Sequence, residues 1–228
     1  KADLKYIFLI DVNLNNIFRD LLKVSIELKK INPNFRFVCI YDDYEKKDFI
    51  VESNEKLSKD HILVRSSPNQ KFFDNLFSKY RPIFCINMAQ RIFDMSFNIE
   101  ANKRNIPVFS FQHGLYIDFM KRDLIFYIKK IFKSIRYLKY IFFISLNLKN
   151  NFFTNYLHLF NSFVFGVKLS KTSLKTQKLN ANYVYIYADF WKAYYRRLFG
   201  YLEKQFIVVG TPDLCIIDKL SKKTDDSI

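Results

Sequence analysis

Glycine is scarce in this chain, with four in 228 residues. None stands in a G-x-G-x-x-G or G-x-x-x-x-G-K-[ST] context, so neither a dinucleotide fingerprint nor a phosphate loop is present. A G-x-S-x-G elbow is also missing, which counts against a serine hydrolase. The three cysteines, Cys39, Cys85 and Cys215, lie far apart in apolar runs. No pair has metal-ligand spacing and an odd count argues against a disulfide framework, so buried, reduced thiols of the cytosolic kind are the expectation. Of three histidines, His61 and His158 have no partner at ligand spacing and are expected to be structural. No uncharged apolar run reaches about 18 residues, so no ordinary membrane span is expected. The first apolar run, residues 6–10, is too short for a signal peptide and is followed by Asp11. Acidic residues vanish altogether between Leu124 and Ala188.

What is present is apolar and basic. Half the residues are hydrophobic and 18% are aromatic, enough for a sizeable core. The formal charge of +15 invites nucleic acid, a membrane surface or an anionic substrate as partner. Part of the lysine excess has a duller source, since Lys, Asn, Ile and Phe are abundant together, as in A+T-rich coding sequence. The chain begins at Lys1 and ends in "KKTDDSI", and is expected to be a fragment of a longer protein.

Short apolar runs alternate with amphipathic stretches. Strands are predicted over 6–10, 35–41, 61–65, 83–86, 107–111, 183–187 and 206–209. Helices are predicted over 17–28, 72–80, 93–105, 124–148 and 189–202. Pro33, Pro82 and Pro107 separate several of them. Strands of four to seven residues alternating with helices predict parallel pairing, right-handed crossovers and an α/β, Rossmann-like sheet with helices on both faces. Ligands of such sheets sit beyond the carboxyl ends of the strands. That rule gathers Asp11, Asn13, Asp42, Asn87, Gln90, Gln112, His113 and Gly114 on one rim.

His113 follows a strand, "IPVFSFQHGLY", and precedes glycine. Its imidazole is expected to project over the rim, with Gly114 allowing positive φ or close approach of a ligand. Histidine with a pKa near ~6.5 can take a proton from a hydroxyl at neutral pH. The plain alternative is a tight turn with His113 capping a backbone group.

Gln112-His113-Gly114, followed by Trp191-Lys192, Gly200 and Val209-Gly210-Thr211-Pro212, resembles the amino-terminal half of bacterial GT-B glycosyltransferases of surface-polysaccharide assembly. The His-Gly step is also similar to that of glycerophosphate polymerases and of UDP-N-acetylglucosamine epimerases. The resemblance covers the whole chain in element order and is specific at those two places. It implies an acceptor-side domain over residues 1–212, with a basic aromatic helical insertion at about 119–160. Residues 213–228 would start the linker to a carboxy-terminal donor domain. It implies His113 as general base toward an acceptor hydroxyl. Gln112 and Gly114 would shape its turn at the substrate, with Tyr116 nearby; Asp11, Asn87 and Gln90 are expected to line the acceptor cleft from their strand-end position alone, and Gly210, Thr211 and Pro212 would mark the interdomain turn. No cofactor is expected on this half; the nucleotide-sugar donor would bind the other, and no metal is required where helix amino-termini and basic side chains hold the leaving diphosphate. The sequence departs from many such enzymes after the first strand, where Asp11-Val12-Asn13-Leu14 replaces a glycine-rich loop.

Lys129, Lys130, Lys133, Arg136 and Lys139 interleave with apolar residues in the 124–148 helix. On a helix, Lys129, Lys133 and Arg136 share one face, and Leu124, Ile128, Ile131, Ile135, Leu138 and Phe142 share another. The belt reads either as core-packing helices with solvated lysines or as an interfacial helix on anionic lipid. The second reading suits a lipid-linked glycan acceptor and an enzyme peripheral to the cytoplasmic face of the membrane. Nucleic-acid binding is disfavoured, because the sheet pattern matches no nucleic-acid module. A polyol-phosphate transferase, a sugar-nucleotide epimerase and a non-catalytic membrane module remain as alternatives.

Overall fold

Continuous apolar runs become strands buried on both faces, and parallel pairing follows when helices cross between them. A computed structural model describes residues 4–42, 59–88, 90–112, 124–148, 151–165 and 176–210. The strands are β1 (Lys5–Ile10), β2 (Phe35–Tyr41), β3 (His61–Arg65), β4 (Phe84–Asn87), β5 (Val108–Phe111), β6 (Tyr183–Ile186) and β7 (Phe206–Val208). All seven pair in parallel, in the order β3-β2-β1-β4-β5-β6-β7. This is the Rossmann-like α/β fold expected from the alternation.

Helix α1 is compound: Leu14–Asn16, a π turn over Ile17–Leu21, then Leu22–Ile31. Asn13 opens it, its side chain accepting from the Asn15 N–H at 2.8 Å. The next helices are α2 (Gln70–Tyr80) and α3 (Ile92–Lys103). Asn69 caps α2 by accepting from the Phe72 N–H at 2.9 Å, and the helix stops at Arg81, in the left-handed region, before Pro82. A long pair follows, α4 (Leu124–Asn147) and α5 (Phe152–Phe165). The last, α6 (Phe190–Phe199), ends at Gly200 with φ +72°, short of the predicted 202. A 3-10 turn, Glu203–Gln205, leads into β7.

The pleat splits each strand between two cores. Ile7, Leu9, Phe37, Cys39 and Ile86 face α1 and pack with Leu14, Ile17 and Leu21. Phe8, Ile10, Val38, Ile40, Cys85, Val108, Val184 and Ile186 face the opposite layer, which α2, α3, α4 and α6 build. His61 is structural, as expected: it stacks on Phe37 at 5.2 Å and its Nε2 meets Ser25 Oγ at 2.9 Å.

Helix α4 corrects the apolar face drawn from the sequence. Tyr137, Tyr140, Ile141, Phe143, Ile144 and Leu148 are buried, whereas Ile128 and Phe142 are exposed. Phe143 stacks on Phe73 of α2 at 4.7 Å, and Tyr140 meets Phe93 of α3 at 5.4 Å. The aromatic side chains of α2 and α3 therefore choose which stripe of α4 turns inward. Among the described residues no helix is long and apolar enough to cross a membrane.

Candidate functional site

Parallel strands bring every carboxyl end to one rim. β1 and β4 are neighbours, but the chain leaves β1 toward β2 and leaves β4 toward β5. Crossovers that part in opposite directions open a crevice between the two strand ends. Asp11 ends β1 on one side of it; Arg91 and Asp94 open α3 on the other.

These three groups form one network. Arg91 Nη2 donates to Asp11 Oδ2 at 2.6 Å, and Nε donates to Asp94 Oδ2 at 2.8 Å. The Arg91 backbone N–H donates to the same Asp94 oxygen at 3.1 Å, so Asp94 also caps its own helix. The second Asp11 oxygen accepts from the Asn13 N–H at 2.7 Å and from Asn16 Nδ2 at 3.1 Å. Both carboxylates are fully buried, while the Arg91 side chain is 31% exposed. Burial pushes Asp94 above the usual carboxylate range, and the neighbouring Asp11 charge adds to it, against the pull of Arg91. Burial works against the Arg91 charge, but the two carboxylates outweigh it and hold the guanidinium firmly protonated.

Asp11 occupies a particular place. It sits at the amino end of α1, where backbone N–H groups and the helix dipole favour an anion. In a dinucleotide-binding sheet that position belongs to a phosphate; here a carboxylate fills it. Of these three groups Arg91 is the one that reaches solvent, its guanidinium braced by two acids. A guanidinium donates hydrogen bonds to hydroxyls or carbonyls. Among the described residues no cluster of His, Cys, Asp or Glu is placed to hold a metal ion.

The other expected site residues lie on the same rim in different roles. Asn87 ends β4, is fully buried and donates through Nδ2 to Asn98 Oδ1 at 2.8 Å. Its own Oδ1 meets no hydrogen-bond donor. Gln90 is buried and spans to the lead-in of β6, donating to the Leu179 carbonyl at 2.8 Å and accepting from the Tyr201 hydroxyl at 2.7 Å. Asn87 and Gln90 are thus turned into the interior rather than open to a cleft. Gln112 is buried between the ends of β5 and β6. Its N–H donates to the Tyr185 carbonyl at 2.9 Å, and its Oε1 accepts from the Tyr187 N–H at 3.0 Å. Gly210 has φ +75°, with open space where a Cβ would stand.

His113, Gly114, Tyr116, Thr211 and Pro212 lie outside the described residues, as do the side chains of Lys129, Lys130, Lys133 and Arg136 and the expected linker 213–228. Lys139 is described and exposed; its Nζ lies 3.8 Å from Asp42 Oδ2 at the end of β2. Arg91 and Asp94 are the residues the sequence reading passed over. Their i, i+3 spacing at a helix start, just after a strand end, is a capping signal that the sequence does contain. No protein-family model matches the chain, and no curated protein sequence matches it.

Proposed function

We propose that the chain is the acceptor-side half of a GT-B glycosyltransferase that moves a sugar from a nucleotide-sugar to a hydroxyl of a membrane-linked surface glycan. The observation that supports this reading most is the seating of Gln112. It leads into His113 and is clamped to the ends of both β5 and β6, on the rim that also carries Asp11 and Arg91. A base at the next position would act from the same strand-end rim as the switch-point crevice.

In the proposed reaction His113 accepts the proton of the acceptor hydroxyl. The freed oxygen attacks the anomeric carbon, and the bond to the nucleoside diphosphate breaks with its electron pair leaving on phosphate oxygen. Arg91 would donate to an acceptor oxygen, held in aim by Asp11 and Asp94. Donor binding would fall to the second half, after a turn at Gly210, Thr211 and Pro212. The enzyme would work at the cytoplasmic face of the membrane, with the charge of Lys129, Lys130, Lys133, Arg136 and Lys139 attracting it to anionic lipid.

The test is a strain whose full-length gene carries His113→Ala. Loss of the surface glycan, with the protein still folded and abundant, is the expected result. An unchanged glycan at equal abundance would remove the catalytic reading. Product analysis then sorts the related chemistries: an epimerase converts a sugar-nucleotide with no acceptor present, and a polyol-phosphate transferase leaves phosphorus in the product.

A further inference from the structure

Helices α4 and α5 lie side by side and carry five of the fourteen large apolar side chains that are exposed among the described residues. Ile128 stands apart near the start of α4; toward its end are Phe142 (50% exposed) and Leu146 (57%), one helical turn apart. On α5 they are Phe153 (76%) and Leu157 (58%), again one turn apart. The two pairs are joined. Phe142 meets Phe152 edge-on at 5.4 Å, and Phe152 meets Phe153 at 5.4 Å. Four large side chains left in water on one helix pair, two of them linked through Phe152, form the kind of patch that marks an interaction surface.

Charge says what the surface meets. From Leu124 to Ala188 the chain has ten Lys or Arg and no Asp or Glu. Lys139 is exposed on α4 one turn before Phe142 and Phe143. A second copy of the chain would set two cationic faces against each other, which repels. An anionic bilayer supplies opposite charge to the lysines and an apolar interior to the phenylalanines and leucines together. Position agrees. Tyr140 of α4 donates to Ser66 Oγ at 3.1 Å, just beyond β3, and Lys139 approaches Asp42 beyond β2. The patch therefore belongs to the element that borders the strand-end rim.

We propose that the chain docks on anionic membranes through the α4–α5 pair, with Phe142, Leu146, Phe153 and Leu157 entering the headgroup boundary. This deepens the membrane part of the function proposed above. It moves the inserted residues from the stripe drawn on the sequence to a surface that two helices share. It does not depend on the transferase chemistry.

The experiment is vesicle co-sedimentation with the 228-residue chain, using phosphatidylcholine vesicles with and without about one-third phosphatidylglycerol, a fraction chosen to give a strongly negative surface. The wild-type chain is expected to pellet with the anionic vesicles and to stay in solution with the neutral ones. Phe153→Ser with Leu157→Ser, both at exposed sites, is expected to lower partitioning roughly tenfold or more, from the apolar burial lost. Circular dichroism and monomer mass should stay unchanged. Lys139→Glu should weaken anionic binding about fivefold or more, as expected for a charge near a leaflet. No binding by the wild type, or full binding by the double serine variant, overturns the proposal. A wild-type dimer in light scattering that the same variant converts to monomer overturns it too, because the patch is then a self-interface. Failure here with glycan loss in the His113→Ala strain leaves the transferase reading standing; success here with an intact glycan in that strain leaves only the docking.

Discussion

Arg91 bonds two carboxylates that are both out of contact with water. A guanidinium shared by two acids leaves one excess negative charge, unless one acid keeps a proton. Burial strengthens the hold of Asp94 on a proton. Arg91→Met should cost ~3–5 kcal/mol at pH 7, the cost of stranding buried charge. The sign of its pH dependence follows from linkage. Without the guanidinium, the buried Asp94 binds its proton more tightly still than in the unfolded chain. Stability is then present below the unfolded carboxylate pKa and lost as pH rises through the raised folded value of Asp94. Urea unfolding of both proteins should show a gap that narrows from pH 7 to about pH 4.5, a range that spans the carboxylate shift. A gap of equal size at both pH values would mean the network contributes packing and not charge. The thiols give a second check. Burial pushes Cys39 up to about 12 and Cys85 higher still. In a Cys215→Ser chain no thiol should react at pH 8 before unfolding, and two should react after it. Rapid labelling of the native chain would contradict the buried placement of both strands' thiols.

The elements divide into those the sequence announces and those it does not. Strands β2 and β3 fall on the predicted residues 35–41 and 61–65: β2 is buried over Phe37–Ile40 and reads as an apolar run, and β3, at the sheet edge and half-buried, is a short apolar run between His61 and Arg65. Helix α4 was legible as a helix, but not in which face it buries. It is apolar on two stripes, and the choice lies with Phe73, Phe93 and Phe97, which the sequence places up to 70 residues away. The crevice was legible as a rim, since parallel strands must end together. Its central pair was not, because Asp11 and Arg91 meet across strand ends 80 positions apart. The α4 assignment is open to direct test. Phe143→Ala removes a buried ring stacked on Phe73 and should cost ~3–5 kcal/mol. Phe142→Ala, one residue on around the helix, should cost less than ~1 kcal/mol, as exposed positions do. Equal losses in thermal unfolding would put the wrong stripe in the core.

At the scale of the whole molecule the two edges of the crevice divide a task. A Rossmann-like sheet ordinarily invites a nucleotide phosphate to the first helix amino-terminus. In this chain Asp11 holds that position, fixed by Asn13, Asn16 and Arg91. Two like charges are disfavoured at one dipole end, so a diphosphate is expected to be turned away even though the chain carries +15. The chain should therefore bind no nucleoside diphosphate at this crevice. The measurement is thermal unfolding with UDP and GDP at about 1 mM in buffer holding about 0.3 M salt, which screens loose attraction to lysines. A ligand at 100 times its Kd stabilises by ~2.7 kcal/mol, which raises Tm by roughly 5–10 °C in a chain of this size. The expected shift is below about 0.5 °C, within the scatter of a non-binding ligand on that scale. A shift of several degrees would give this half the donor site. The division of labour proposed for the two halves would then reverse. Asp11→Asn probes the cause: if the carboxylate is what excludes phosphate, weak nucleotide stabilisation should appear in that variant and in no other.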